Sequence, residues 1–277
     1  MADNPAGTTA GTSENPLLVD ERDGVAWLTM NRPERLNALN RGLTDALRNY
    51  FEGLQKRHEI RVVVLQGAGR AYCAGLDLKD RVGAAPRDVQ ASFDGQIAIR
   101  DIMIAMRECP QPIVSIVAGA ASGGGLGIAL ASDIRLATPE ARFNAAFIRI
   151  GVSGCDMGSS YFLPRMVGAS VASEMLLTGR FLNAQRALGL GLVSMVDERP
   201  ALEAEARALV DEMLNATPLA LRLTKDCLNH NIDANGLRAA IAMEDRNQVL
   251  CTRGGDFHEG VTAFLEKRKP VYGRQPG

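Results

Sequence analysis

Bare backbone amides are the first chemistry this sequence offers. Between Pro112 and Ala131 an apolar β-type run, Ile113 to Val117, reaches a helical run carrying Leu126, Ile128 and Leu130 through a turn, Gly119 to Gly125. Gly123, Gly124 and Gly125 are consecutive. They put unshielded N–H groups at a helix N-terminus, where the dipole and unpaired donors favour negative charge. A second loop of this kind, Gln66 to Lys79, follows the β-branched run Ile60 to Leu65. Two such loops meeting on one oxygen would form an oxyanion hole. The same glycines also suit close packing of strand against helix.

Other glycine motifs fail on their spacing. Gly125 is followed by Leu126 and Gly127, not by the Lys and Ser/Thr of a phosphate-binding loop. A dinucleotide fingerprint counted from Gly123 and Gly125 would need glycine where Ile128 stands, and Ala120 precedes Ser122 where a hydrolase elbow needs glycine. Ser153, between Gly151 and Cys155, narrowly misses that elbow too. Cys73, Cys109, Cys155, Cys227 and Cys251 contain no Cys-x-x-Cys pair, which points to a reducing compartment and no zinc. Cys73 and Cys155 are candidate pocket thiols. His58, His230 and His258 lie far apart in polar surroundings, so no metal is expected. A net charge of -1 and only thirteen aromatic residues argue against a nucleic-acid partner.

The elements that must hold these loops are legible in order. Leu17 to Glu21 and Val25 to Met30 read as a hairpin around an Asp-Gly turn. The loop Asn31 to Leu39, with cationic Arg32 and Arg35, leads to an amphipathic helix from Asn40 to about Arg57. Asp88 to Arg107 is a helix with Phe93, Ile97, Ile102, Met103 and Met106 inward. Ile134 to Ala137 and Arg142 to Asn144 are short strands, Met157 to Met166 and Arg180 to Leu190 helices, and Leu192 to Val196 a strand. From Ala201 the chain is almost all helical. The rhythm is strand, strand, helix. Met1 to Pro16 is small, polar and without an apolar segment, a frayed tail rather than a signal peptide or anchor, so a cytoplasmic location is expected.

Asn31 to Leu39, Ala71 to Lys79 and Gly119 to Gly125 resemble the three signature segments of the crotonase, or enoyl-CoA hydratase/isomerase, superfamily. Leu177 to Val193 and Glu259 to Pro270 are similar to later family stretches, so the resemblance spans roughly residues 16 to 272. It implies an α/β fold: a spiral of strand-strand-helix turns over residues 16–200 behind a disordered tail, 1–15, with a helical oligomerisation region, 201–277, that builds homotrimers or hexamers. It also implies an acyl-CoA thioester as substrate, an enolate stabilised by the N–H groups of Leu76 and Gly124, and no cofactor beyond the CoA of the substrate. The coenzyme would run along Arg35, Leu36, Ala38, Ala74, Asp77 and Leu78. Membrane insertion is not expected.

The chain departs from the family where hydratases carry two glutamates. Those positions are Gly127 and Phe147, which would line the acyl pocket instead. Neither moves a proton, and adding water needs both an acid and a base. Asp156, counted back from Leu163 and Pro164, falls where the dienoyl-CoA isomerases of the superfamily carry a catalytic aspartate. One carboxylate can shuttle a proton between carbons of an enolate, so double-bond isomerisation is expected over hydration. The alternatives are a hydratase with an unconventional acid and base, or an acyl-CoA binding protein without turnover. Asp156 would otherwise serve as a helix N-cap.

Overall fold

The computed structural model describes residues 15–80 and 88–273. The expected tail lies outside the described residues up to position 14. Nine strands and ten α-helices follow one another in the described chain. Strands β1 (Leu17–Arg22), β2 (Val25–Met30), β3 (Val62–Gly67), β4 (Ile113–Val117), β6 (Ile134–Ala137) and β9 (Met195–Val196) form one sheet in the order β1-β2-β3-β4-β6-β9. Only the β1–β2 pair is antiparallel. Strands β5 (Ala120–Ser122), β7 (Arg142–Asn144) and β8 (Leu182–Asn183) form a second, smaller sheet.

The unbroken apolar run at β3 is explained by burial on both faces. Val63 and Leu65 face a core shared with helices α1 (Arg41–Gly53), α2 (Val89–Glu108), α3 (Gly124–Ala131), α4 (Ser159–Val167) and α5 (Ala169–Thr178). After the short helix α6 (Ala184–Gly189) comes α7 (Arg199–Leu214). Val62 and Val64 face the opposite way, toward Leu202, Ala206 and Val210 of α7.

The strand-strand-helix rhythm holds, because β4 and β6 lie in the large sheet while β5 and β7, which follow them, lie in the small one. Several boundaries differ. Ala120 to Ser122 is a strand within what reads as a turn; small residues pair there although they lack a β-branched signal. The stretch from Arg180 to Leu190 divides into β8 and α6, since the Asn183 side chain caps a new helix by accepting from Arg186 N–H at 2.9 Å. β9 begins only at Met195, and α4 begins at Ser159 rather than Met157. Phe93 and Ile97 point outward, whereas Ile102, Met103 and Met106 are buried as expected, together with Ala105, in the C-terminal half of α2.

Three helices end the described chain: α8 (Pro218–Asn231), α9 (Leu237–Thr252) and α10 (Gly255–Leu265). Their only buried residues are Lys225 on α8 and Ala263 on α10, with none on α9. Lys225 is an anchor. Its ammonium donates to the Met106 and Gln111 carbonyls at 3.0 and 2.8 Å and pairs with Asp133 at 3.0 Å, which ties α8 to the ends of α2 and β4. No helix among the described residues is long and apolar enough to cross a membrane.

Candidate active site

The site is assembled by adding two loops to the edge of the small sheet. Cys73 pairs with Ala121 of β5, its N–H donating to Ala120 O and its carbonyl accepting from Ser122 N–H, both at 3.0 Å. Ala74 N–H then turns to the Leu36 carbonyl at 3.0 Å. Gly75, at φ 89, breaks the alternation, and its carbonyl and the Asp77 N–H both bond to Leu39, at 2.7 and 3.0 Å. The N–H of Leu76 is thereby directed to the other edge, where β5 and α3 lie. Glycine is required at position 75. A Cβ there would stand 2.7 Å from the Ser122 carbonyl oxygen and 3.2 Å from the Gly124 nitrogen.

Gly124 opens α3. The first bond closing the helix runs from Gly127 N–H to the Gly123 carbonyl at 3.1 Å, so the Gly124 N–H precedes the intrahelical ladder. Leu76 and Gly124 line one cavity of about 550 Å³.

The loops are fixed by two buried polar side chains, Arg32 and Asn37, to which the sequence reading assigned no role. Arg32 donates to Asp77 Oδ2 at 3.0 Å and to the Ala38 carbonyl, while Asn37 accepts from Arg32 N–H and donates to the Ala68 and Ala71 carbonyls, each at 2.8 Å. Leu36 and Asn37 both take left-handed backbone, which turns the chain back toward the second loop. Thus Arg35, Leu36, Ala38, Ala74, Asp77 and Leu78 do come together. Their faces differ. Ala74 and Leu78 line the cavity, but the Asp77 carboxylate is turned inward to Arg32, and Arg35, one-third exposed, reaches Asp77 at 3.9 Å and Asp80 at 3.7 Å.

Asp156 lines the same cavity and is the sole carboxylate among the described lining residues. It does not cap α4 with its side chain: Oδ1 accepts from Met157 N–H at 2.7 Å and from Gln96 Nε2 at 2.6 Å, whereas the residue flanking α4 is Gly158. Oδ2 has no hydrogen-bond partner among the described residues. Phe147 lines the wall. Gly127 does not, because Met157 lies over it and faces the cavity in its place. Met157 holds φ 50, a left-handed conformation that costs a side chain on the order of 1–3 kcal/mol. Ile99, Ile150 and Val152 complete an apolar end of the cavity.

The two candidate thiols part company. Cys155 lines the cavity, but Cys73 is fully buried, and burial pushes its thiol up to about 12, so it is no nucleophile. Ser153 lines the wall, bonded to its neighbour Cys155 rather than to a histidine. Among the described residues no cluster of three or more potential metal ligands occurs. Gln96 and Met157 escaped the sequence reading. Gln96 gave no signal on a helix whose outward face also carries Phe93 and Ile97, and the turn at Met157 has no marker residue except Gly158.

Residues 20–275 match the family described as Enoyl-CoA hydratase/isomerase. A Mycobacterium tuberculosis protein, "Probable enoyl-CoA hydratase EchA12", is 36% identical over 92% of this chain and 92% of its own. The 1,2-epoxyphenylacetyl-CoA isomerase of Escherichia coli is 34% identical over 92% of this chain and 97% of its own. The crystal structure of an enoyl-CoA hydratase from Bacillus anthracis superposes with a TM-score of 0.87 at 31% identity, covering 93% and 98% of the two chains.

Proposed function

The chain belongs to the enoyl-CoA hydratase/isomerase family, and we propose that it shifts a double bond within an acyl-CoA thioester instead of adding water across it. What supports this reading is the lining of one cavity, which brings together Leu76, Gly124 and the carboxylate-bearing Asp156; the N–H groups of Leu76 and Gly124 are taken as the donors. The thioester oxygen accepts from both donors, each worth roughly 3 kcal/mol in acyl chemistry, so charge on the enolate is stabilised. Asp156 Oδ2 takes a proton from one carbon as the enolate forms and returns it to another as the carbonyl reforms. Atoms balance without water. No cofactor enters beyond the coenzyme A of the substrate, whose path follows the paired loops at Arg35, Leu36 and Leu78.

Hydration is favoured by the names of several relatives, yet it is efficient only where one group activates water and another protonates the α-carbon. Gly127 and Phe147 supply neither. The test is a panel of crotonyl-CoA, a 3-enoyl-CoA and a 3,5-dienoyl-CoA, offered to the protein and to Asp156→Ala. The reading expects isomerisation that falls 10²-fold or more in the variant while ester binding persists. Rapid hydration that survives the change, or binding without turnover, contradicts it.

A further inference from the structure

Met157 belongs to neither glycine loop and moves no proton, yet its placement is closely determined. The turn that carries it is held from both sides: its N–H donates to Asp156 Oδ1 at 2.7 Å, and Ser159 N–H donates to the Asp156 carbonyl at 2.9 Å. This lays the residue across the first turn of α3. Gly124 and Gly127 are three apart and share that face. A Cβ on Gly127 would lie 2.9 Å from Met157 Cβ and 3.1 Å from its carbonyl oxygen, while one on Gly124 would lie 3.1 Å from Sδ and 3.3 Å from Cε. The side chain therefore runs along the helix from Gly127 to the donor at Gly124. It is only 5% exposed, and what remains open faces the cavity.

We infer that Met157 sets the outcome of the reaction by excluding water from the space beside Asp156, an inference that rests on the proposed reading of the site. Hydration and isomerisation share the polarised thioester. They differ in what comes next. In hydration a water oxygen bonds to the β-carbon, one of its protons reaches a base and the α-carbon gains a proton; in isomerisation one proton leaves a carbon and returns to another. Asp156 can act as the base for either. In hydration the proton it takes from water is the one it hands to the α-carbon, so one carboxylate suffices for slow hydration once water is admitted. A thioether is at most a weak acceptor, and a water needs two or more polar partners to be held. With Met157 in place, the space over α3 is filled by an apolar chain, and the acyl group meets the carboxylate alone.

The test compares the protein with Met157→Gly in water enriched in ¹⁸O, with a 3-enoyl-CoA and crotonyl-CoA as probes. Glycine suits φ 50, so the turn is kept. The ratio of hydration to isomerisation is expected to rise at least tenfold in Met157→Gly and to return most of the way in Met157→Leu, which refills the space. An unchanged ratio in a glycine variant that still binds the esters overturns the inference, as does rapid hydration by the unaltered protein. If Met157→Gly fails to bind, Met157→Asn is read the same way, since asparagine tolerates left-handed backbone. Should the unaltered protein bind esters and turn over neither probe, the reading of its reaction fails separately. Hydration gained in Met157→Gly then still supports water exclusion, and none gained refutes it.

Discussion

At the scale of single residues, the account depends on a carboxylate with unequal oxygens. Asp156 Oδ1 is engaged by Met157 N–H and Gln96 Nε2, which fixes the plane of the group and leaves Oδ2 without a hydrogen-bond partner among the described residues. On the proposed reading Gln96 is a positioning residue. Gln96→Ala should lower kcat roughly tenfold with KM little changed, the loss expected for one hydrogen bond to a charged group; a rise in KM alone would argue for a packing role. Cys73 makes a different prediction. Its folded value, about 12, lies above the ordinary 9.0 because burial penalises the thiolate, so the folded state keeps a proton that the unfolded chain loses. Its contribution is complete below pH 9 and declines by about 1.4 kcal/mol per pH unit from there toward pH 12. Urea midpoints measured at pH 8 and pH 10 should show that decline, and Cys73→Ala should flatten it by about one proton.

Elements carry the precision of the site. The loops after β2 and β3 are joined by Arg32, whose guanidinium and Asp77 partner are both about 5% exposed or less. Arg32→Met would leave the Asp77 carboxylate buried with only the more distant Arg35, a cost of about 3 kcal/mol or more. A lowered urea midpoint together with weakened ester binding would register it; an unchanged midpoint would refute the stapling role. Sequence legibility follows the same physics. Ile113 to Val117, Ile134 to Ala137 and Arg142 to Asn144 are read residue for residue, because short runs bounded by Gly, Pro, Asp or Asn announce their own ends. Both glycine-rich loops are legible from their glycines. The strand at Ala120 to Ser122 is not, since its small residues carry no propensity and only the neighbouring chains make it pair. Nor is the turn at Met157, because a methionine at positive φ is imposed by its surroundings.

At the scale of the whole molecule, the helices beyond residue 200 behave in two ways. α7 is built into the core over β2, β3, β4 and β6, whereas α8, α9 and α10 leave Leu228, Leu237, Leu250, Phe264 and Leu265 more than half exposed, and Leu228 also lines a hollow of about 750 Å³ between α8 and α9. We propose that this surface joins copies of the chain. Light scattering should give three or six times the 29.7 kDa chain mass, and Phe264→Asp should shift that mass downward without changing the fold; a monomer from the unaltered protein would contradict it. The whole molecule is proposed to move a double bond without adding water. The most direct test is turnover of a 3-enoyl-CoA in ¹⁸O-enriched water, with products read by mass. The account predicts a conjugated 2-enoyl-CoA free of ¹⁸O, formed with Asp156 and lost with Asp156→Ala. Rapid accumulation of an ¹⁸O-labelled 3-hydroxyacyl-CoA, with or without Asp156, would contradict it.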